Sequence, residues 1–584
     1  MDERMRRRLL SGAAEPGSAK SPPGHGGLGG GPGGGHAHYA AQGQSLAQAV
    51  LDLGASDEAD ERWVPAPTVE NPHVVLGTRS IVLSLAAGFA IFLLASLPRL
   101  YVLFFVTNPQ NPGLGWYGDT FHHWQIAYLS KEVGFHHGFL RLWDFKGMEY
   151  FWGLLHPLLL ASLFAITGSV DILIPRLVSL VSGSISVALI FILGRRYFNV
   201  HVALAAALLA ALNPVGLFSD ASGMQEPLGV MLLLVGMALW PKRAAGTGIF
   251  WALAGMVRAE FWVFGAGLVM AVLLLEEDSS RKLSVAFGWA IPILLYMKYL
   301  LDSTGNAIYP IYWNFLGNAA GEWMADVPLN EVQTIAMWGF RALTVVSAGG
   351  VFWVLRKNPK HYLLFLLGLG NILFLSILLG FTAYVRGFLP RFLVDRIFVL
   401  PYLFMGLIAA AGALGWLPKR RLRMLRLAFG WVVIFVVLGL SQLGWKPIWN
   451  YYEPGESVWN SEHAIASEIA TQYQGGVISM MEDRPWLTYF LVHDFGISGT
   501  RIEGQMYDPF AYMKGDPFSD WDSNREKIMT WLTERNIRLL VFPSSKANYQ
   551  KMVTQEPAIF QHEMSIAEGY FEIYRVTSNE ISPN

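Results

Sequence analysis

Long apolar runs constrain this chain more than any other feature. They fall at about 78–106, 173–194, 200–218, 226–240, 283–301, 334–355, 361–381, 395–416 and 425–443. A helix of about 20 apolar residues crosses a bilayer. Only 15% of the residues are charged and 53% are hydrophobic, well short of the charge of roughly 25% in a soluble chain. The pattern predicts a polytopic α-helical membrane protein. No basic domain stands out to attract nucleic acid. The chain has no cysteine, which excludes disulfides and thiolate chemistry.

The ends are different material. Residues 1–75 are Gly/Pro-rich, as in "PGSAKSPPGHGGLGGGPGGGHAHYAAQG", and predict a disordered cytoplasmic tail. "MDERMRRRLL" has no apolar stretch behind it and does not read as a signal peptide. Residues 445–584 predict a soluble α/β domain. There "SEHAIASEIATQY" and "NREKIMTWLTER" read as helices, and "GGVISMM", "IRLLVFP" and "FEIYRV" as strands. Asp508, Asp516, Asp520 and Asp522 fit no EF-hand spacing and read as turn residues.

Charge decides how the region 76–444 crosses the membrane. Short cytoplasmic loops are enriched in Lys and Arg. The basic segments are Arg6 to Arg8, Arg195-Arg196, Lys242-Arg243, Arg356-Lys357 and "KRRLRMLR" from Lys419 to Arg426. One parity puts them all on one side. In it, 151–170 does not cross and lies at the interface. Segment 246–275 crosses twice, as two short helices broken near Arg258 and Glu260. The expectation is about eleven transmembrane helices, with interfacial helices in the first outer loop, the N-terminus inside and the C-terminal domain outside. Segments 107–170, 219–226, 258–261, 302–333 and 384–392 then share the outer face.

Ionisable residues near a membrane are costly to retain and are functional candidates. Asp119 lies in the first outer loop among Trp116, Tyr117, Phe121 and Trp124. It reads either as a general base or as the N-cap of an amphipathic helix, or as both. His122 and His123 diverge by roughly 100° on a helix, which does not suit one metal ion. They read instead as donors to a phosphate or an acceptor, or as interfacial residues without a role. Glu226, just before Pro227 and near Asp220 at the outer end of a span, suits a helix N-terminus. Arg258 and Glu260 read as an ion pair at a helix break or as a phosphate grip. Arg386 and Arg391 stand in an outer loop where arginine is disfavoured, and their fork matches phosphate oxygens.

Beyond these residues, "PRLVSLVSGSISVALIFILGRRYFNVHVALAAALLAALNPVGLFSDASGMQEPL", the interfacial "HPLL", the "VRAEF" break and the "RGFLPRFL" loop have a familiar order. Over roughly residues 80–440 the chain resembles the GT-C superfamily of membrane glycosyltransferases, best its polyprenyl-phosphate-sugar-dependent branch. The resemblance implies an inverting transfer from a polyprenyl-phosphate-linked sugar to a glycan, lipid or protein acceptor at the outer face. Asp119 matches the first-loop catalytic carboxylate. Arg258, Arg386 and Arg391 would neutralise the departing phosphate, and Glu226 would orient the acceptor or sugar. The Asp-Glu doublet of protein O-mannosyltransferases is Asp119-Thr120 here, a departure from that branch. No cofactor is implied with certainty, and a divalent cation stays open. The home membrane would be the cell membrane in a bacterium or the endoplasmic reticulum in a eukaryote. Competing readings are a transporter or flippase for a lipid-linked glycan, which should show paired inverted repeats, and a non-catalytic membrane subunit.

Overall fold

The structure is a computed structural model. It describes residues 78–106, 118–133, 150, 152–314, 399–415, 420–445, 448, 456–481, 484–504, 507–510 and 518–577. The expected tail 1–75, the runs 334–355 and 361–381, and Arg386 and Arg391 lie outside the described residues.

The membrane part begins with α1 (Thr78–Tyr101), which ends in a π-turn (Val102–Val106). Next come α2 (Gly118–Val133), α3 (Leu155–Thr167) and α4 (Leu173–Tyr197). They are followed by α5 (Val200–Ala211), α6 (Pro214–Ala221) and α7 (Glu226–Leu239). The rest are α8 (Ala244–Gly255), α9 (Ala259–Leu275), α10 (Ser279–Thr304), the short α11 (Tyr309–Asn314), α12 (Val399–Leu414) and α13 (Arg420–Ser441). Four of these segments are long and apolar enough to cross a membrane, or five if the bent pair α5–α6 is one span. The chain is an integral membrane protein. Within it α4 is central, with 72% of its apolar stretch buried, against 28%, 22% and 11% for the stretches of α1, α10 and α13. Those outer helices turn Leu97, Leu294, Leu295, Phe429 and Phe435 outward, as a lipid-facing surface requires.

Two breaks shape the bundle. The first was expected. Segment 246–275 divides at Met256–Arg258, and Gly255 packs against Trp262 while Gly265 packs against Trp251. That pairing runs α8 and α9 antiparallel, as a hairpin with Arg258 at its tip. The second was not expected: the segment read as a span at 200–218 bends by 59° between α5 and α6. Asn213 accepts a hydrogen bond from Gly216 N (3.0 Å), and Pro214 occupies the first helical turn. Asn-Pro therefore restarts the chain in a new direction.

The bend carries Asp220 into the bundle, where it pairs with Arg99 of α1 (Nη2–Oδ2 2.7 Å). Arg99 also donates to the carbonyls of Ala95 (2.8 Å) and Ala211 (3.3 Å), so both charges are satisfied in a dry place. Gly183 of α4 makes room for the pair, since a Cβ there would lie 2.1 Å from the Asp220 carboxylate.

The C-terminal residues build α14 (Glu456–Gln472), β1 (Val477–Met480), α15 (Pro485–His493), β2 (Ile502–Glu503) and α16 (Arg525–Glu534). Then follow β3 (Ile537–Pro543), α17 (Ala547–Gln555), β4 (Phe560–Ile566) and β5 (Phe571–Val576). The strands form one mixed sheet in the order β2-β1-β3-β5-β4. Strand β1 runs parallel to β2 and β3, and β5 runs antiparallel to β3 and β4. Every strand and helix expected from the sequence of this region is present. Of the acids read as turn residues, Asp508 is held by Tyr549 (3.0 Å) and Lys546 (3.2 Å), and Asp520 caps the turn at Ser523 (2.8 Å).

Candidate active site

The helix carrying Asp119 is fixed on both sides. Residues 120–130 of α2 are all buried, so the expected amphipathic helix is instead enclosed all round. Its partner on one side is the C-terminal layer. Gln125 Nε2 donates to Thr488 Oγ1 (2.8 Å), and Gly499 N donates to the Tyr128 hydroxyl (3.0 Å). Phe121 and Trp124 both meet the edge of the Tyr489 ring, at 5.5 and 5.0 Å. Burial pushes the hydroxyls of Tyr128 and Tyr489 above their ordinary pKa, so both stay neutral hydrogen-bonding groups. Phe121, Trp124, Tyr128, Phe164, Leu487 and Ile573 belong to one apolar cluster. A rigid support of this kind is what a positioned catalytic group needs.

On the other side, α2 grips the turn before α7. Thr120 Oγ1 donates to Ser222 O (3.0 Å), and Ser179 of α4 donates to Met224 O. Asp119 itself stands in the first helical turn, after Gly118, and not ahead of the helix as an N-cap would. A carboxylate in that turn is favoured by the helix dipole. His122 follows one turn later, with Nδ1 4.0 Å from Asp119 Oδ1.

The two histidines meet the same indole from different directions. His122 stacks on Trp152 (5.4 Å), while His123 meets its edge (5.1 Å) and that of His156 (5.1 Å). Burial holds the His156 imidazole down at about 3, so it is neutral in α3. Among the described residues, no three His, Cys, Asp or Glu side chains come together as a metal site.

Trp152 links this helix to the acidic cluster. Its carbonyl accepts from the Gln225 amide (2.9 Å), which also donates to Val257 O (3.0 Å). Gln225 and Val257 each precede a residue of the ion triad. Arg258 pairs with Glu226 through Nη1, and with Glu260 through Nε (2.9 Å) and Nη2 (2.6 Å). The Arg258 tip of the α8–α9 hairpin is thus tied to the first turn of α7.

Exposure separates the members. The side chains of Glu226, Arg258 and His122 keep only 5%, 7% and 6% of their surface. Asp119 and Glu260 keep 22% and 18%. Those two carboxylates are the more open members of the group. All three nitrogens of Arg258 donate to carboxylates, so its charge is already balanced by Glu226 and Glu260.

Sequence reasoning thus named Asp119, His122, His123, Glu226, Arg258 and Glu260, and the structure sets all six on neighbouring elements joined through Trp152 and Gln225. It did not single out Trp152, Gln225 or Thr120. Their roles run through backbone carbonyls and ring contacts, which leave no mark in residue spacing.

No family model and no curated protein matches the sequence. Solved structures do resemble the fold. ArnT from Cupriavidus metallidurans bound to undecaprenyl phosphate matches with a TM-score of 0.50 at 12% identity, over 87% of this chain and 100% of that one. The same protein in the apo state matches with a TM-score of 0.45 at 11% identity, over 87% and 99%. An oligosaccharyltransferase from Archaeoglobus fulgidus, tethered to an acceptor peptide containing the NVT sequon, matches with a TM-score of 0.45 at 12% identity, over 85% and 75%. At such identities the likeness is one of architecture alone, and the first match carries it: this chain shares the overall fold of that ArnT structure.

Proposed function

We propose that the protein is an inverting glycosyltransferase that moves a sugar from a polyprenyl-phosphate donor to an acceptor at the outer membrane face. The observation that carries this reading is Asp119. It is a partly exposed carboxylate in the first turn of a helix whose remaining length is clamped between the bundle and the C-terminal layer. The fold, shared with a protein bound to undecaprenyl phosphate, supports the donor class.

The step balances simply. The Asp119 carboxylate accepts the proton of an acceptor O–H or N–H, and that atom forms a bond to the anomeric carbon. The bond from the anomeric carbon to the phosphate oxygen breaks, and its electron pair leaves with the polyprenyl phosphate. A general base of this kind contributes about 100- to 10,000-fold. Cationic groups near the departing phosphate stabilise charge as it develops, the task proposed for Arg386 and Arg391. Arg258 holds Glu226 and Glu260 in place, and Glu260 lies open toward the acceptor or sugar.

The test is transfer by purified protein in sealed proteoliposomes, given a panel of polyprenyl-phosphate sugars. One donor should be consumed, with acceptor modified only on the side where the C-terminal layer is accessible to a membrane-impermeant label. Consumption of none, or modification on the opposite side, would contradict the reading.

A further inference from the structure

Among the described residues, Arg176 is a fully buried charge with no bonded counter-ion. It lies in the first turn of α4 with 0% of its surface exposed. None of its three guanidinium nitrogens has a hydrogen-bond partner. A buried ion without a partner is strongly disfavoured. Its place makes matters worse, because the first turn of a helix favours anions and repels cations.

Its neighbours are already occupied. Asp171 and Tyr489 are near enough to attract it electrostatically. However, Asp171 Oδ1 accepts from Leu173 N (2.8 Å), and its Oδ2 faces His493 Nε2 (3.8 Å). The Tyr489 hydroxyl accepts from Ile172 N (3.4 Å). On the remaining side stands Gly223, in the left-handed region at φ +84°, between Arg176 and Thr120. A Cβ there would sit 3.0 Å from Thr120 Cγ2 and 3.3 Å from Arg176 Cγ. Only a glycine lets this turn lie between the two side chains without strain.

Thr120 adjoins Asp119, so Arg176 is set one glycine away from the helical turn that carries the candidate base. By the charge count it also lies at the outer end of α4, since the opposite end carries Arg195 and Arg196.

We infer that Arg176 receives a phosphate group of the substrate, deepening the proposed function and resting on it. A guanidinium fork matches phosphate oxygens in a paired, directional way. The charge of Arg258 is balanced by Glu226 and Glu260, whereas the three buried nitrogens of Arg176 make no hydrogen bond. Phosphate recognition thus shifts from the hairpin tip to the start of α4. The anion compensates the buried charge, and its binding draws α2, α4 and the 222–224 turn together.

The test is thermal unfolding of the full-length protein in detergent, with undecaprenyl phosphate, undecaprenol or inorganic phosphate added. For the wild type, undecaprenyl phosphate should raise the midpoint and undecaprenol should not. An equal rise with inorganic phosphate would mean that free phosphate, and not a lipid headgroup, is the source. In Arg176→Met the phosphate-dependent rise should vanish, with affinity falling on the order of 10- to 100-fold. Without ligand that variant should unfold no earlier than the wild type, because an uncompensated charge has gone. A variant that melts earlier without ligand would show a structural role and overturn the inference. Arg176→Lys keeps the charge without the fork, so its rise with undecaprenyl phosphate should be smaller than that of the wild type but larger than that of the methionine variant. A rise that survives both substitutions removes Arg176 alone, whereas no rise in the wild type removes the donor class as well.

Discussion

Asp119→Asn is expected to reduce sugar transfer by about 100- to 10,000-fold while leaving the protein folded. Asparagine keeps the shape of the side chain but cannot accept the acceptor's proton. The substitution costs little else. Asp119 keeps 22% of its side-chain surface, and His122 Nδ1 stands 4.0 Å from its carboxylate. Helix α2 is held by other residues: Thr120 on the 222–224 turn, Gln125 on Thr488 and Tyr128 on Gly499. Expression level and unfolding midpoint should therefore match the wild type. Transfer by the variant at more than about a tenth of the wild-type rate would remove Asp119 as the base.

Arg258→Met should have a larger effect on the fold than on any single step. Removing one partner of a buried ion pair costs about 3–5 kcal/mol. Here the removed cation serves two carboxylates, so Glu226 and Glu260 both lose its charge. The same loss frees the α8–α9 hairpin from the first turn of α7. The expected result is a much lower unfolding midpoint in detergent, or loss of folded protein on size exclusion. Adding Glu226→Gln and Glu260→Gln to the variant should restore part of the loss, because the three groups act as one unit. A single variant as stable as the wild type would show that the triad does not hold the hairpin.

Apolar length and charge parity made most of the membrane part legible. Apolar length placed α1, α4, α10 and α13, and the polar residues within 246–275 marked the break at Arg258. The bend between α5 and α6 was missed, although Asn213-Pro214 is a known turn signal. Hydropathy averages over such a dipeptide and reports a continuous run. Arg99 and Asp220 were passed over for a related reason. Each looks like the polar end of a span until the bend carries them together across 121 residues. Helix α2 was read as amphipathic because its second covering layer, α15, lies 363 residues away at the Gln125–Thr488 contact. No local pattern encodes a contact of that range. The site was legible as a set of residue types. How they divide the work was not, because it depends on which arginine the fold has already paired.

Product configuration tests the central claim most directly. A single displacement assisted by one base inverts the anomeric carbon. Whichever polyprenyl-phosphate sugar the purified protein accepts, the anomeric proton coupling of donor and product can be compared by nuclear magnetic resonance. A β-linked donor should give an α-linked product, with equimolar release of polyprenyl phosphate. A product of retained configuration would contradict a direct displacement with Asp119 as the base.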